Sequence, residues 1–175
     1  MLQLSKSLLD RPVMSLRTGG QIATAIGPII NPNNLKIEGF YCQDRFSKDV
    51  LILLSQDIRD TIPQGLVVND HDVLAAPDEL IRLKDVLEIN FQLMDKPVVT
   101  VNKKRLGKVN DFAADSESLY IQKLYIGRPL LKSLSGGQFS VDRNQIVEIT
   151  NRKIVINDPL QGVKNGVTAT APVAT

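Results

Sequence analysis

Residues 8–16 read LLDRPVMSL, and residues 93–101 read LMDKPVVTV, 85 positions later. Leu8, Asp10, Pro12 and Val13 recur as Leu93, Asp95, Pro97 and Val98. The other five positions exchange like for like: Leu9 with Met94, Arg11 with Lys96, Met14 with Val99, Ser15 with Thr100 and Leu16 with Val101. Such a match marks an internal repeat, and a repeat constrains architecture before any single element is assigned. Two further blocks match in the same order. At an offset of 84, Leu35, Ile37, Phe40 and Tyr41 face Leu119, Ile121, Leu124 and Tyr125. At an offset of 88, LVVND (66–70) faces IVIND (154–158). The drifting offset puts the length changes between matched blocks, where loops absorb them. The chain reads as a tandem duplication.

Each copy reads as short strands separated by turn residues. In the first, Thr18-Gly19-Gly20 breaks between MSLR and QIATAIGPII, and Pro32-Asn33-Asn34 breaks before LKIEGFYC. Five or six short strands in about 75 residues predict a mainly β fold, each copy forming a small closed or nearly closed barrel without exposed sheet edges. Between the copies lies PDELIRLKDVLEINFQLM (77–94). Ala76, Leu80, Leu83, Leu87, Phe91 and Met94 recur at helical spacing, and Pro77, Asp78 and Glu79 suit a helix start. This predicts an amphipathic helix over roughly 78–93, packed on the barrels. Leu87, Ile89, Phe91 and Leu93 also alternate strictly, so the second half has a strand alternative. The expected organisation is a first repeat over 1–76, a linking helix over 77–94, a second repeat over 95–160, and a disordered tail over 161–175, where only small and turn-prone residues occur.

Among the 175 residues, 43% are hydrophobic and 23% charged, as in ordinary globular protein. No run approaches the roughly 18 apolar residues of a membrane span, and the start has no apolar leader core, so neither is expected. Cys42 is the only cysteine, which fits a reducing cytoplasmic setting. The net charge of +2 hides an asymmetry: residues 1–95 carry nine Lys/Arg against thirteen Asp/Glu, and residues 96–175 carry twelve against six.

Leu106-Gly107-Lys108-Val109-Asn110-Asp111-Phe112, an apolar strand ending at Tyr125, Arg143 to Ile149, and Ile154-Val155-Ile156 resemble the PRC-barrel family. This domain occurs in the photosynthetic reaction centre H subunit and at the C-terminal end of ribosome maturation factor M. The resemblance covers about residues 10–72 and 95–158. The first copy departs from it, with Ala23 and Gly27 where the second has Gly107 and Asp111. Neither the extra barrel of the ribosome factor nor the membrane helix of the H subunit is expected before the repeats. The resemblance therefore implies two tandem barrels acting as a protein-binding scaffold.

Catalytic chemistry is thin. His71 is the only histidine, and in Asn69-Asp70-His71-Asp72 it reads as a polar turn rather than a metal site, since contiguous turn residues cannot all face one ion. Cys42 lies in an apolar strand with no activating histidine, so a buried thiol is expected. No glycine-rich loop has phosphate-binding spacing, and no cofactor, metal or small-molecule ligand is expected. Binding residues are sought instead in the basic turn Lys103-Lys104-Arg105 with Lys108, and in the loop after Tyr125, which is four residues longer than its counterpart and carries Arg128, Leu130, Leu131, Lys132 and Leu134. The expected function is a non-catalytic cytoplasmic adaptor that binds another protein. The alternative is a ribosome- or RNA-associated maturation factor using the basic second repeat.

Overall fold

The computed structural model describes residues 1–127 and 137–158. It is mainly β, with strands arranged in two sheets. A short first strand, β1 (Leu2–Leu4), is followed by β2 (Arg11–Ser15), β3 (Gln21–Asn31), β4 (Lys36–Asp44), β5 (Val50–Leu54), β6 (Ile58–Ile62), β7 (Gly65–Val68) and β8 (Leu74–Ala75). After the linker come β9 (Pro97–Thr100), β10 (Arg105–Asp115), β11 (Ile121–Gly127), β12 (Gln138–Asp142), β13 (Ile146–Ile149) and β14 (Ile154–Ile156).

The first sheet is hydrogen-bonded in the order β6-β7-β2-β3-β4-β5-β8, and the second in the order β13-β14-β9-β10-β11-β12. The six-strand order is therefore the same in both. So are the strand directions: β2–β7 and β9–β14 are the parallel pairs, and their neighbours are antiparallel. Neither path closes on itself among the described residues, so the expected closed barrels are not formed: the first sheet ends at β6 and β8, and the second at β13 and β12.

The nine-residue repeat is one structural device used twice. Leu8 and Leu93 are buried in the core, as are Val13 and Val98. Asp10 (φ 54°) and Asp95 (φ 62°) both turn the chain through the left-handed region, which Asp tolerates better than most residues. The Arg11 guanidinium donates to the carbonyls of Ile62 and Gly65, holding the β6–β7 turn. Lys96 Nζ does the same for the β13–β14 turn by donating to Asn151 O at 2.8 Å. Ser15 and Thr100 are both buried, and their hydroxyl oxygens accept the N–H groups of Thr18 and Lys104 at the hairpin tips. Three identical pairs and two like-for-like exchanges thus serve five matching roles in the two units.

The two sheets meet at the β3–β4 and β10–β11 hairpin tips. Ile37 N–H donates to Leu119 O, and Ile121 N–H donates to Leu35 O, both at 2.9 Å. This reciprocal pair links matched residues and so relates the units by an approximate two-fold. Leu35 (φ 52°) and Leu119 (φ 58°) both hold left-handed backbone, costly for leucine. Burial of Leu35 and the hydrogen bonds across the seam hold them there. One continuous apolar core runs through both units, from Val13, Phe40 and Val68 to Val98, Phe112 and Ile154.

The linker departs from the expected long helix. Only α1 (Lys84–Ile89) is α-helical, after two 3-10 turns at Pro77–Glu79 and Ile81–Leu83. Leu80 breaks the first part with ψ 73°, and Asn90 ends α1 in the left-handed region. The reason lies in what the segment must cover. Leu80, Leu83 and Leu87 pack on Ile29, Tyr41 and Ile52 on the outer face of the first sheet. Phe91 and Leu93 must then enter the common core two residues apart, which suits extended chain and not helix. The corresponding positions of the second sheet are Ala113, Tyr125 and Ser140, smaller or more polar in two of the three cases, beside a Lys123–Asp142 ion pair at 3.0 Å.

Strand β1 pairs antiparallel with Ala113–Asp115 of β10, placing the start of the first repeat on the second sheet. The tail over 161–175 lies outside the described residues, and no helix among those described is long and apolar enough to cross a membrane.

Candidate functional site

The basic turn Lys103-Lys104-Arg105 is the tip of the β9–β10 hairpin. Thr100 builds it: its N–H donates to Lys104 O at 2.9 Å, its carbonyl accepts from Lys103 N–H at 2.9 Å, and its Oγ1 accepts from Lys104 N–H at 3.2 Å. Lys103 adopts φ 64°, the conformation that Gly19 (φ 69°) supplies at the matched tip of the first unit. A left-handed residue other than glycine costs about 1–2 kcal/mol, so this tip carries its lysine at some expense. Lys103, Lys104, Arg105 and Lys108 are exposed, and none takes part in an ion pair among the described residues.

The matched end of the first unit is electrically closed by comparison. Arg17 pairs with Asp70 at 2.8 Å, and Asp70 also accepts from Ser15 Oγ at 3.1 Å. The backbone N–H of His71 and the Arg17 charge hold the Asp70 carboxyl below its usual range. His71 reaches across to Asp44, Nε2 to Oδ1, at 2.7 Å. Burial of Asp44 works to raise its pKa, but hydrogen bonds from His71 and Ser47 outweigh it and the net shift is downward. His71 thus fastens the loop after β7 to the end of β4. Phe46, 70% exposed, stands edge-on to the imidazole at 5.5 Å, and Leu16 is 63% exposed at the neighbouring tip.

Both ends lie away from the seam. Strand β3 runs from its outer end at Gln21 to the seam at Asn31, and β10 runs likewise from Arg105 to Asp115, each 11 residues or roughly 35 Å. The two units therefore turn their tip loops in opposite directions.

Of the residues singled out in sequence, the structure brings together Lys103, Lys104, Arg105 and Lys108. Arg128, Leu130, Leu131, Lys132 and Leu134 lie outside the described residues. Two cations were missed: Arg152 and Lys153 sit on the β13–β14 turn, which the parallel β14–β9 pairing brings beside Pro97. The offset of 88 that aligns IVIND with LVVND contained that placement. Lys96 contributes no free charge to the surface. It is buried, its ammonium lies 4.7 Å from the centre of the Phe91 ring, and burial lowers its pKa.

Cys42 is buried and its thiol is pushed up to about 12 by that burial, against a weaker opposing hydrogen bond from the Leu53 backbone. No group of three or more His, Cys, Asp or Glu side chains gathers in a metal-binding arrangement among the described residues. A cleft of about 390 Å³ opens between the units, lined by Ser55, Arg59, Asp60, Ser116 and Glu117 among others. The chemistry on offer is that of fixed, unpaired cationic donors. No known family model matches the chain, and no curated protein is significantly similar to it.

Proposed function

We propose that the chain is a non-catalytic cytoplasmic adaptor, built from two PRC-barrel-like units that arose by duplication and binding another protein through the second unit. The duplication reading is supported by the shared strand order, the doubled nine-residue device and the paired left-handed residues. One observation carries the functional reading: matched ends of the two units point apart, and one is internally ion-paired while the other leaves its cations unpaired. Two copies of one scaffold with unlike ends suit a molecule that joins unlike things. The test is affinity purification of the tagged chain from its own cells, with proteins and RNA both identified. A stoichiometric non-ribosomal protein is the expected result.

The second reading, a ribosome- or RNA-associated maturation factor, is favoured by the same unpaired cations. With four phosphate contacts from Lys103, Lys104, Arg105 and Lys108, a single-stranded RNA would show a log–log salt slope of about −3. Absence of RNA retention at about 50 mM salt ends that reading.

A further inference from the structure

The cations of the second unit belong to a surface larger than the hairpin tip. Directly opposed residues in a sheet share a face, so the register defines which side chains lie together. Across β10, β9, β14 and β13, one outward row reads Arg105, Val99, Val155 and Glu148. In the next row Lys108 faces Pro97, and Lys153 immediately precedes the Ile154 that faces Val98. The inward residues Val98, Ile154 and Ile156 are fully buried, confirming which side is outside. A bulge in β13 sets Val147 beside Glu148 against Val155, with Val147 54% exposed. The face thus has an apolar centre of Pro97, Val99, Val155 and Val147. Around it stand Lys103, Lys104, Arg105, Lys108, Arg152 and Lys153, all exposed and none ion-paired, against the single carboxylate of Glu148 in these rows.

The first unit has no such surface. Its matching row is Gln21, Met14, Val67 and Asp60, and Thr24 stands where Lys108 does. Gly65 stands where Lys153 does, and a Cβ there would lie 2.2 Å from Pro12 O, so that face is closed to a side chain.

We infer that the outer face of β10-β9-β14-β13 is the docking surface for an acidic polypeptide segment that carries apolar side chains among its carboxylates. An apolar centre with a charged rim is the anatomy of a protein interface. The rim calls for negative charge, and the centre calls for aliphatic side chains. A nucleic acid would supply the charge but leave the valines facing sugar and base, and no aromatic side chain stands in these rows to stack with a base.

This inference rests on the adaptor reading and names its partner's chemistry. The test uses the full chain and a fluorescein-labelled peptide of alternating Glu and Leu, with polyglutamate and poly(U) RNA as comparison probes, followed by anisotropy at about 50 mM salt. The alternating peptide is expected to bind best. Lys108→Glu/Lys153→Glu is expected to weaken it at least about tenfold, and Val147→Ser by about threefold. Circular dichroism melts establish that each variant is folded. Failure of the wild type to bind the alternating peptide overturns the inference. So does binding unchanged by Lys108→Glu/Lys153→Glu, or tighter binding of poly(U) lost in the same variant. If a cellular partner still co-purifies with that double variant, the adaptor reading stands and the assignment of this face falls.

Discussion

Gly107→Ala is the sharpest test of how the two units differ. Gly107 holds φ +145°, and a Cβ on it would stand 1.9 Å from the carbonyl oxygen of Gly127. That oxygen is backbone, in the residue paired with Lys108 at the end of the β10–β11 ladder, so no side-chain rotation relieves the clash. An L-residue in this backbone region costs about 1–2 kcal/mol. Parting the Lys108–Gly127 pair costs about 0.5–1.5 kcal/mol more. The expected loss is about 2–3 kcal/mol, or a fall in Tm of about 5–10 °C for a chain of this size. Urea denaturation followed by circular dichroism reads the first, and a thermal melt the second. The first unit is the control. Ala23 occupies the matched position, 1% exposed and without positive φ, so Ala23→Gly should cost only about 1 kcal/mol through lost backbone restriction and packing. A Gly107→Ala protein within about 0.5 kcal/mol of wild type would refute the reasoning, as would an Ala23→Gly protein that is the less stable of the two.

Three further outcomes are expected. The pKa values of Asp44, Asp70 and Asp115 are depressed in the folded chain, Asp115 chiefly by the Ser118 backbone N–H. Their stabilisation is complete above the unfolded value of about 3.9 and is lost as pH falls through the folded values, so the urea midpoint should drop steeply below about pH 4. Asp44→Asn should make that fall shallower; an unchanged acid limb contradicts the assignment. Cys42 should resist thiol reagents at pH 8 in the native protein and react at the rate of global unfolding, whereas rapid native labelling would contradict its burial. Because one core spans both units, calorimetry should show a single transition that Val13→Ala and Val98→Ala each lower by about 1–3 kcal/mol; two separable transitions would mean independent units.

Strand content and the repeat were legible because both are written locally, as alternation, turn residues and a conserved nine-residue phrase. The linker was not. The phrase in fact begins earlier, with Leu2-Gln3-Leu4 against Leu87-Glu88-Ile89, yet the first copy is strand β1 and the second lies in α1. Nothing in three such similar residues chooses between these. β1 finds the edge of β10, whereas Leu87 meets the apolar outer face formed by Ile29, Tyr41 and Ile52. The basic turn was visible as a charge run, but Lys153 and Val147 joined it only through the β14–β9 and β13–β14 pairings, contacts more than 40 residues apart in the first case. Register across a parallel pair is a tertiary fact that no short window contains.

The reciprocal hydrogen bonds between Leu35 and Ile121 and between Ile37 and Leu119 are those of a symmetric dimer, except that both partners lie on one chain. In a true homodimer every substitution is made twice, so neither subunit can gain a lysine, lose a glycine or close a surface without the other doing the same. A single covalent chain is free of that bond. Gly19 forms a neutral tip where its counterpart is Lys103, and Gly65 packs on Pro12 where its counterpart is Lys153. The seam keeps the geometry of a pair of equals, and the covalent link lets each member specialise alone.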